Sequence, residues 1–405
     1  MILHTTSNQD QLIRKGKGIL FIFAGKRHVL SSSVLNGGFR DDLLAVFNFD
    51  EKPDDSSYCE MNENTYEEHL YRIAKEKLEL APSLCAGLST AADMDNMVIE
   101  TSCVTLSNGF PLTVTAAVTG GIDQNGARPG DPACWEEYDY SYRMLHCKDV
   151  ASSSEHNELS EKTKVNTSPD NSLFKPGTIN IMLHINAALT KGTMVRAVIT
   201  GSEAKAAACG ELLCPSLYSE GIATGSGTDG MIIICDPSTP FVLTAAGKDS
   251  QLGEMIGTTI MKALKKAIGL QTDVTPAYQH NVLKRLDRFG VTEERLYAIY
   301  SHDSMIDFLN GKPRYTKDQF FVKAASVLNS GYWTGKASMV AHLLDQLAWG
   351  MLSMDDVKEM YPMLFGQKCA DDLDKESFLQ AFCVEMIDYI AAADEVYPKS
   401  RTFFP

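Results

Sequence analysis

The chain has 405 residues, 44% hydrophobic and 22% charged, which is ample apolar material for a core and long for one domain. Its formal net charge of −15 is spread along the sequence, which disfavours nucleic acid and anionic membranes as partners, since both need clustered Lys and Arg. The N-terminal stretch has no apolar h-region, no run is apolar enough to span a membrane, and the ten cysteines are scattered without a CxxC pair, so we expect a cytoplasmic protein with reduced thiols.

Taken in order, Ile19–Phe23 and His28–Ser33 flank the turn residues Ala24–Arg27 and read as a hairpin. Residues 42–49 read as a strand and Thr65–Leu78 as a helix. Met97–Thr105 and Pro111–Thr119 are joined through Asn108-Gly109, a strong hairpin signal because both residues tolerate positive φ. From Cys147 to Lys175 the chain is rich in Ser, Glu, Lys and Asn without apolar spacing, and reads as a surface insertion.

The core pattern then resumes. In residues 179–185 Ile179, Ile181, Leu183 and Ile185 alternate with Asn180, Met182 and His184, and Thr178 and Asn186 continue the polar side. This predicts a strand covering a core on one side. Thr193–Leu213 has helical spacing, with an expected inner stripe of Val195, Val198, Ile199, Ser202, Ala206, Cys209 and Leu213 and with Arg196, Thr200 and Glu203 on the other face. Met231–Cys235 reads as a buried strand and Ser250–Ile268 as a helix. Beyond Asp273 the pattern is helical only, near 281–289, 293–309, 317–328, 335–350, 353–365 and 375–393, and Ser353 with Asp356 resembles a capping box. Strands arranged mainly as hairpins predict an α+β domain over 1–272 with a largely antiparallel or mixed sheet, carrying the insertion at 146–175. An all-helical domain follows over 273–405.

Motif reading alone is sparse. Gly225-x-Gly227-x-x-Gly230 matches the dinucleotide fingerprint by letter, but its last glycine leads into a strand rather than a helix, which removes the helix N-terminus that would meet phosphate. A simple turn explains it equally well. His184 alone on a polar strand face, Glu203 and Lys205 on a helix, Asp131 after a turn and Lys248 before a helix start each have a plain structural explanation. No metal-binding spacing, GxSxG elbow or phosphate loop occurs.

Several segments together resemble the adenosylcobinamide amidohydrolase family. The strongest is GTINIMLHINAALTKGTMVRAVITGSEAKAAACGEL at 177–212, followed by GIATGSGTDGMI at 221–232 and TAAGKDSQLGEMIG at 244–257, with SSSVLNGG at 31–38 and TGGIDQNGARPGDPA at 119–133. They occur in family order and cover most of 19–268. The resemblance implies cleavage of the aminopropanol amide of adenosylcobinamide to give adenosylcobyric acid in corrinoid salvage. We expect no required cofactor and no metal held by the protein. The cobalt-containing corrinoid enters as a small-molecule substrate.

Amide hydrolysis needs an activated nucleophile, a proton shuttle and oxyanion donors. Within the resembling segments we expect Glu203 and Asp229 as base and shuttle and Asn180 as an oxyanion donor, with the backbone of 225–228 beside it. Asn36, Gly37, Gly38, Asp131, Thr178, His184, Gly225, Gly227, Thr228 and Lys248 are expected to bind substrate. The family often reads AGKHS where this chain has AGKDS, with Asp249 after Lys248. That departure keeps open an alternative: a corrinoid-binding protein with lost or altered chemistry. Thr178 at the head of the strand also admits a nucleophile exposed by self-cleavage, though Gly-Thr is a common dipeptide and the expectation is an intact chain.

Overall fold

The computed structural model describes residues 1–52, 63–138, 141–145, 177–309 and 315–392. The insertion expected at 146–175 lies outside the described residues. Two compact units are present, Met1–Thr275 and Pro276–Pro405.

Unit 1 begins with strands β1 (Ile2–Thr5), β2 (Gln11–Lys15), β3 (Gly18–Ile22), β4 (His28–Ser31), β5 (Gly38–Arg40) and β6 (Ala45–Asp50), then helix α1 (Tyr66–Arg72). Next come β7 (Cys85–Thr90), β8 (Val98–Thr105), β9 (Pro111–Gly120), β10 (Gly126–Ala127), β11 (Trp135–Tyr138), β12 (Ser141–Met144), β13 (Ile179–Ile185) and β14 (Ala188–Leu189). Helix α2 (Lys191–Glu211), β15 (Gly225–Ser226), β16 (Gly230–Cys235), β17 (Val242–Leu243) and helix α3 (Gln251–Thr272) complete it.

Two sheets dominate, in the orders β1-β2-β3-β6-β7 and β5-β4-β16-β13-β9-β8. Both are mixed: β13/β16 and β6/β7 run parallel and the remaining pairs antiparallel. The odd residues of β13 pack with Val114, Ala116, Val118 and Ile233 under α2 and α3. Met182, Ala117, Ile232 and Ile234 face the other way, against Leu12, Phe21, Val46 and Leu88 of the five-stranded sheet. That sheet in turn covers Leu70, Ile73 and Ala74 through Leu20, Ala45 and Phe47. Unit 1 is therefore four layers deep: helices, sheet, sheet, helix. This is the α+β architecture with mixed sheets that the strand pattern predicts.

Three expectations need correction. Residues 18–33 are not a hairpin, because β3 pairs with β2 and β6 while β4 pairs with β16 and β5, so the chain crosses between sheets at 23–27. β13 is buried on both faces, since the second sheet covers its polar side. The inner face of α2 is Thr193, Met194, Ala197, Thr200, Gly201, Ala204, Ala208 and, as expected, Cys209, while Val195 and Ile199 are 51% and 42% exposed. Small residues win this face because the helix sits close: any Cβ on Gly201 would press on Met231 and Ile260.

Local capping explains the helix starts. Thr190 accepts the Thr193 N–H for α2, and Ser250 accepts the Gly253 N–H for α3. The β8/β9 hairpin closes at Asn108-Gly109, with Gly109 at φ +82°. Cys134 is disulfide-bonded, which departs from the expectation of reduced thiols throughout, whereas Cys85, Cys209, Cys214 and Cys235 are free and buried. Among the described residues no helix is long and apolar enough to cross a membrane.

Unit 2 carries helices α4 (Val282–Leu286), α5 (Glu293–Leu309), α6 (Lys317–Leu328), α7 (Gly331–Ala348), α8 (Met354–Phe365) and α9 (Lys375–Ala392). They enclose a core that includes Phe320, Trp333, Tyr361, Phe378 and Phe382. The expected capping box of Ser353 with Asp356 starts α8.

Candidate functional site

β13 and β16 run parallel in register, Asn180 beside Gly230 and Ile185 beside Cys235, so the segments that enter them meet at one end. Gly177 and Thr178 lead into β13. The glycine-rich stretch 225–229 leads into β16. Asp229 ties the two together: its Oδ1 accepts the Ile179 N–H at 3.0 Å, the Ser226 N–H at 3.0 Å and the Ser226 hydroxyl at 2.6 Å, and its Oδ2 pairs with Lys205 from α2. The pair is mostly covered, with 17% and 13% of the two side chains exposed. Gly225 has to be glycine, because a Cβ there would run into both Asp229 and Lys205.

Thr178 is buried at the mouth of β13. Its hydroxyl touches the Thr228 hydroxyl and lies 3.2 Å from the Thr228 carbonyl. Thr228 Oγ1 in turn lies 3.3 Å from the Gly177 carbonyl oxygen, which also accepts from Asn125 Nδ2 at 3.2 Å. Asn125 is held by the Tyr218 hydroxyl on its Oδ1 at 3.0 Å and by the Gly227 N–H on its carbonyl at 3.2 Å. Thus Thr178, Gly225, Gly227, Thr228 and Asp229 gather at one place, together with Lys205, Asn125, Ser226 and Tyr218.

Glu203 lies elsewhere on α2. Residues 203 and 205 project about 200° apart on a helix, so Glu203 cannot share the Asp229 side with Lys205. It pairs with Lys248 at 3.0 Å in an exposed position. Lys248 belongs to residues 244–249, which with Gly192, Thr193 and Arg196 line an open groove of about 710 Å³. Val195 and Ile199 stand exposed in line with Glu203 at i, i+4 spacing.

The remaining expected residues serve the scaffold in this structure. Asn180 is 1% exposed, and its amide nitrogen donates to Asn48 Oδ1 and to the Ser89 carbonyl, both at 2.8 Å, which leaves no N–H for an oxyanion. His184, also 1% exposed, bonds Asp10 at 2.9 Å and stacks on Phe21. Asn36, at φ +52°, donates to the Pro82 and Cys85 carbonyls and accepts from Arg40. A Cβ on Gly37 would strike the Ser33 carbonyl, and Gly38 sits at φ +76°. Asp131 accepts from the Arg128 N–H and the Ser216 hydroxyl; burial pushes its pKa up, but those bonds with Ser219 and the Arg128 charge hold it below the usual carboxylate value.

Sequence reading passes over Asn125, Tyr218 and the side chain of Ser226, and gives Lys205 only a solvated helix face. The available signals were the Asn125-Gly126 pair inside the 119–133 segment and the short spacing of Lys205 from Glu203. Neither reveals that Asn125 lies beside Gly177. Asn180 offers a direct check of the scaffold assignment. Asn180→Ala should cost about 1–3 kcal/mol of stability, because the Ser89 carbonyl and Asn48 lose their donor between two sheets. Chemical denaturation measures it, and an unchanged midpoint would return Asn180 to the candidates for chemistry.

The model of the adenosylcobinamide amidohydrolase family matches residues 3–276. An uncharacterized protein of Methanocaldococcus jannaschii is 29% identical over 266 residues, spanning 64% of this chain and 88% of that protein. The crystal structure of the PH0078 protein from Pyrococcus horikoshii aligns over 66% of this chain and 82% of its own, at 9% identity and a TM-score of 0.29.

Proposed function

The chain belongs to the adenosylcobinamide amidohydrolase family, and from that premise we propose that it hydrolyses the aminopropanol amide of adenosylcobinamide, releasing adenosylcobyric acid and 1-amino-2-propanol. The observation that carries this reading is the convergence of residues from three family-like segments, Asn125, Gly177–Thr178 with Lys205, and Gly225–Asp229, at the entry to two parallel strands. Such a place suits acyl transfer. It offers a buried hydroxyl at the head of a rigid strand, fixed N–H and O–H donors, and a cation held in position.

We assign Thr178 Oγ as the group that attacks the amide carbon, with water resolving the resulting ester. Asp229 makes a poor base, since its two oxygens already accept from Ile179, Ser226 and Lys205, so its role is to fix the loop and the lysine. Glu203 and Lys248, beside the exposed Val195 and Ile199, are assigned to holding the substrate through its apolar face and polar fringe. Glu203→Gln should therefore raise KM several-fold and leave kcat within about tenfold, the pattern of lost uniform binding. A hundredfold fall in kcat with unchanged KM would make Glu203 the general base instead.

Incubating the purified protein with adenosylcobinamide, then separating the corrinoids and weighing them by mass spectrometry, tests the reaction. The expected result is a time-dependent adenosylcobyric acid peak. Tight binding of the corrinoid without product would favour the alternative, a binding protein with lost or altered chemistry.

A further inference from the structure

We infer that the chain cuts its own Gly177–Thr178 peptide bond, and that the freed α-amine of Thr178 is the base for its own hydroxyl. The first half of this inference is independent of the substrate. The second rests on the hydrolase reading above. It reverses the expectation from sequence that the chain stays intact.

Three features of the bond carry the inference. The Gly177 carbonyl oxygen meets two side-chain donors, Asn125 Nδ2 at 3.2 Å and Thr228 Oγ1 at 3.3 Å. Two convergent donors on one peptide carbonyl are what an oxyanion would require if that carbonyl were attacked. Second, the Thr178 hydroxyl belongs to the residue that follows this carbonyl, is buried, and is in contact with the Thr228 hydroxyl. With Thr228 Oγ1 donating to the Gly177 carbonyl, the Thr178 hydroxyl is left to donate to Thr228, at its hydroxyl or its carbonyl, so the three groups are linked in one chain of contacts. Third, Gly177 sits at φ +144°, a conformation strained for any residue with a Cβ, so glycine is needed before this threonine. On the far side the bond is anchored, because the Ile179 N–H is held by Asp229 and the Thr178 carbonyl accepts the Gly121 N–H at 3.0 Å.

A purely structural purpose explains these features less well. One partner or water would satisfy a carbonyl near the surface, and although its two lone pairs allow a second donor, here both donors are side chains brought in from other segments of the site. More tellingly, the donors a substrate amide would use are occupied in the intact chain by the chain's own carbonyl. Cleavage would vacate them.

The chemistry balances without any co-reactant except water. Thr178 Oγ attacks the Gly177 carbonyl carbon, and the charge on the oxygen is met by Asn125 and Thr228. The hydroxyl proton passes through Thr228 Oγ1 to the Thr178 nitrogen as the carbon–nitrogen bond breaks, which leaves an ester between Gly177 and Thr178 Oγ. Water hydrolyses that ester. The products are a Gly177 carboxylate and a Thr178 with free hydroxyl and free amine, the arrangement in which an N-terminal threonine activates itself.

Intact-mass spectrometry of the purified full-length protein under denaturing conditions tests the cut. Two fragments are expected, 1–177 and 178–405, whether or not a corrinoid is present. Thr178→Ala should yield one chain of full length, Thr178→Ser should still be cut, and Asn125→Ala should slow the cut by about a hundredfold, the scale of losing one oxyanion donor. The serine variant guards against a fold made unstable by alanine. A single uncut species in the wild type would overturn the inference, as would an equal cut in Thr178→Ala, which would betray an outside protease. Cut protein that leaves adenosylcobinamide untouched would sink the hydrolase reading and leave self-cleavage standing. Turnover of adenosylcobinamide by an uncut chain would do the reverse.

Discussion

Lys205→Met should lower kcat/KM for adenosylcobinamide by at least about a hundredfold, the cost of displacing a reacting group by an ångström or so. Lys205 does not touch Thr178. Its effect runs through Asp229, which binds the start of β13 and the 225–229 loop at once. Without the ammonium, a mostly covered carboxylate loses its counter-charge, and the loop that carries Thr228 loses its reason to stay where it is. Breaking the pair from one side should also cost about 3 kcal/mol, at the low end for a buried pair because both groups keep some solvent access. The double variant Lys205→Met with Asp229→Asn removes the stranded charge, so it should recover much of the stability and little of the activity. That split separates positioning from folding. If the single variant keeps full turnover while melting lower, the ion pair belongs to the scaffold alone.

How far the sequence discloses such a site depends on how local each signal is. The Asn108-Gly109 hairpin, the helix start at Ser250, the cap at Ser353 and the helices of unit 2 rest on neighbours a few residues apart, and all are legible. The alternation of β13 is legible as well, but not what covers its polar side. Asn180 finds its partner 132 residues away in Asn48, and His184 finds its own 174 residues away in Asp10. Periodicity contains no term for such pairings, so a doubly buried strand reads as a half-exposed one. Hydropathy misplaces the inner face of α2 for a related reason. It ranks Val195 and Ile199 above Ala197, Gly201 and Ala204, whereas close packing against Met231 and Ile260 selects for small size. The glycine loop at 225–230 is legible as a place where backbone and ligand approach, and its true neighbour, the Asp229–Lys205 pair, is not. Resemblance to a family reaches further than pattern here because it marks Gly177–Leu212 and Gly221–Ile232 jointly, without showing why they belong together.

Asp10→Ala should be the most destabilising of the substitutions considered, by about 3–5 kcal/mol, the range for stranding one partner of a buried pair. Asp10 is fully buried between the sheets. It receives Arg27 Nε at 2.7 Å and Nη2 at 2.9 Å, His184 Nε2 at 2.9 Å and the Ala24 N–H at 2.7 Å. Removal leaves Arg27, 3% exposed, with Asp236 at 3.4 Å and two backbone carbonyls among the described residues, and leaves His184 facing a cavity. For a domain of this size the midpoint should fall by roughly 6–20 °C, at about 2–4 °C per kcal/mol. Burial alone would raise the Asp10 pKa, but the bonds from His184 and Arg27 outweigh it and the carboxyl titrates below its ordinary value. A carboxyl whose folded pKa is depressed stabilises the fold above its unfolded pKa, about 4, and that contribution fades as pH falls through the lower folded value. The gap between wild type and Asp10→Ala should therefore be full at neutral pH and narrow only below about pH 4. Thermal melts at pH 7, 5 and 3 measure it. A gap that stays constant down to pH 3 would mean that the loss comes from the cavity and the stranded arginine, with no share from the ionised carboxylate. A small gap at pH 7 would show that solvent reaches this network, and His184 would then regain its claim to a role at the substrate.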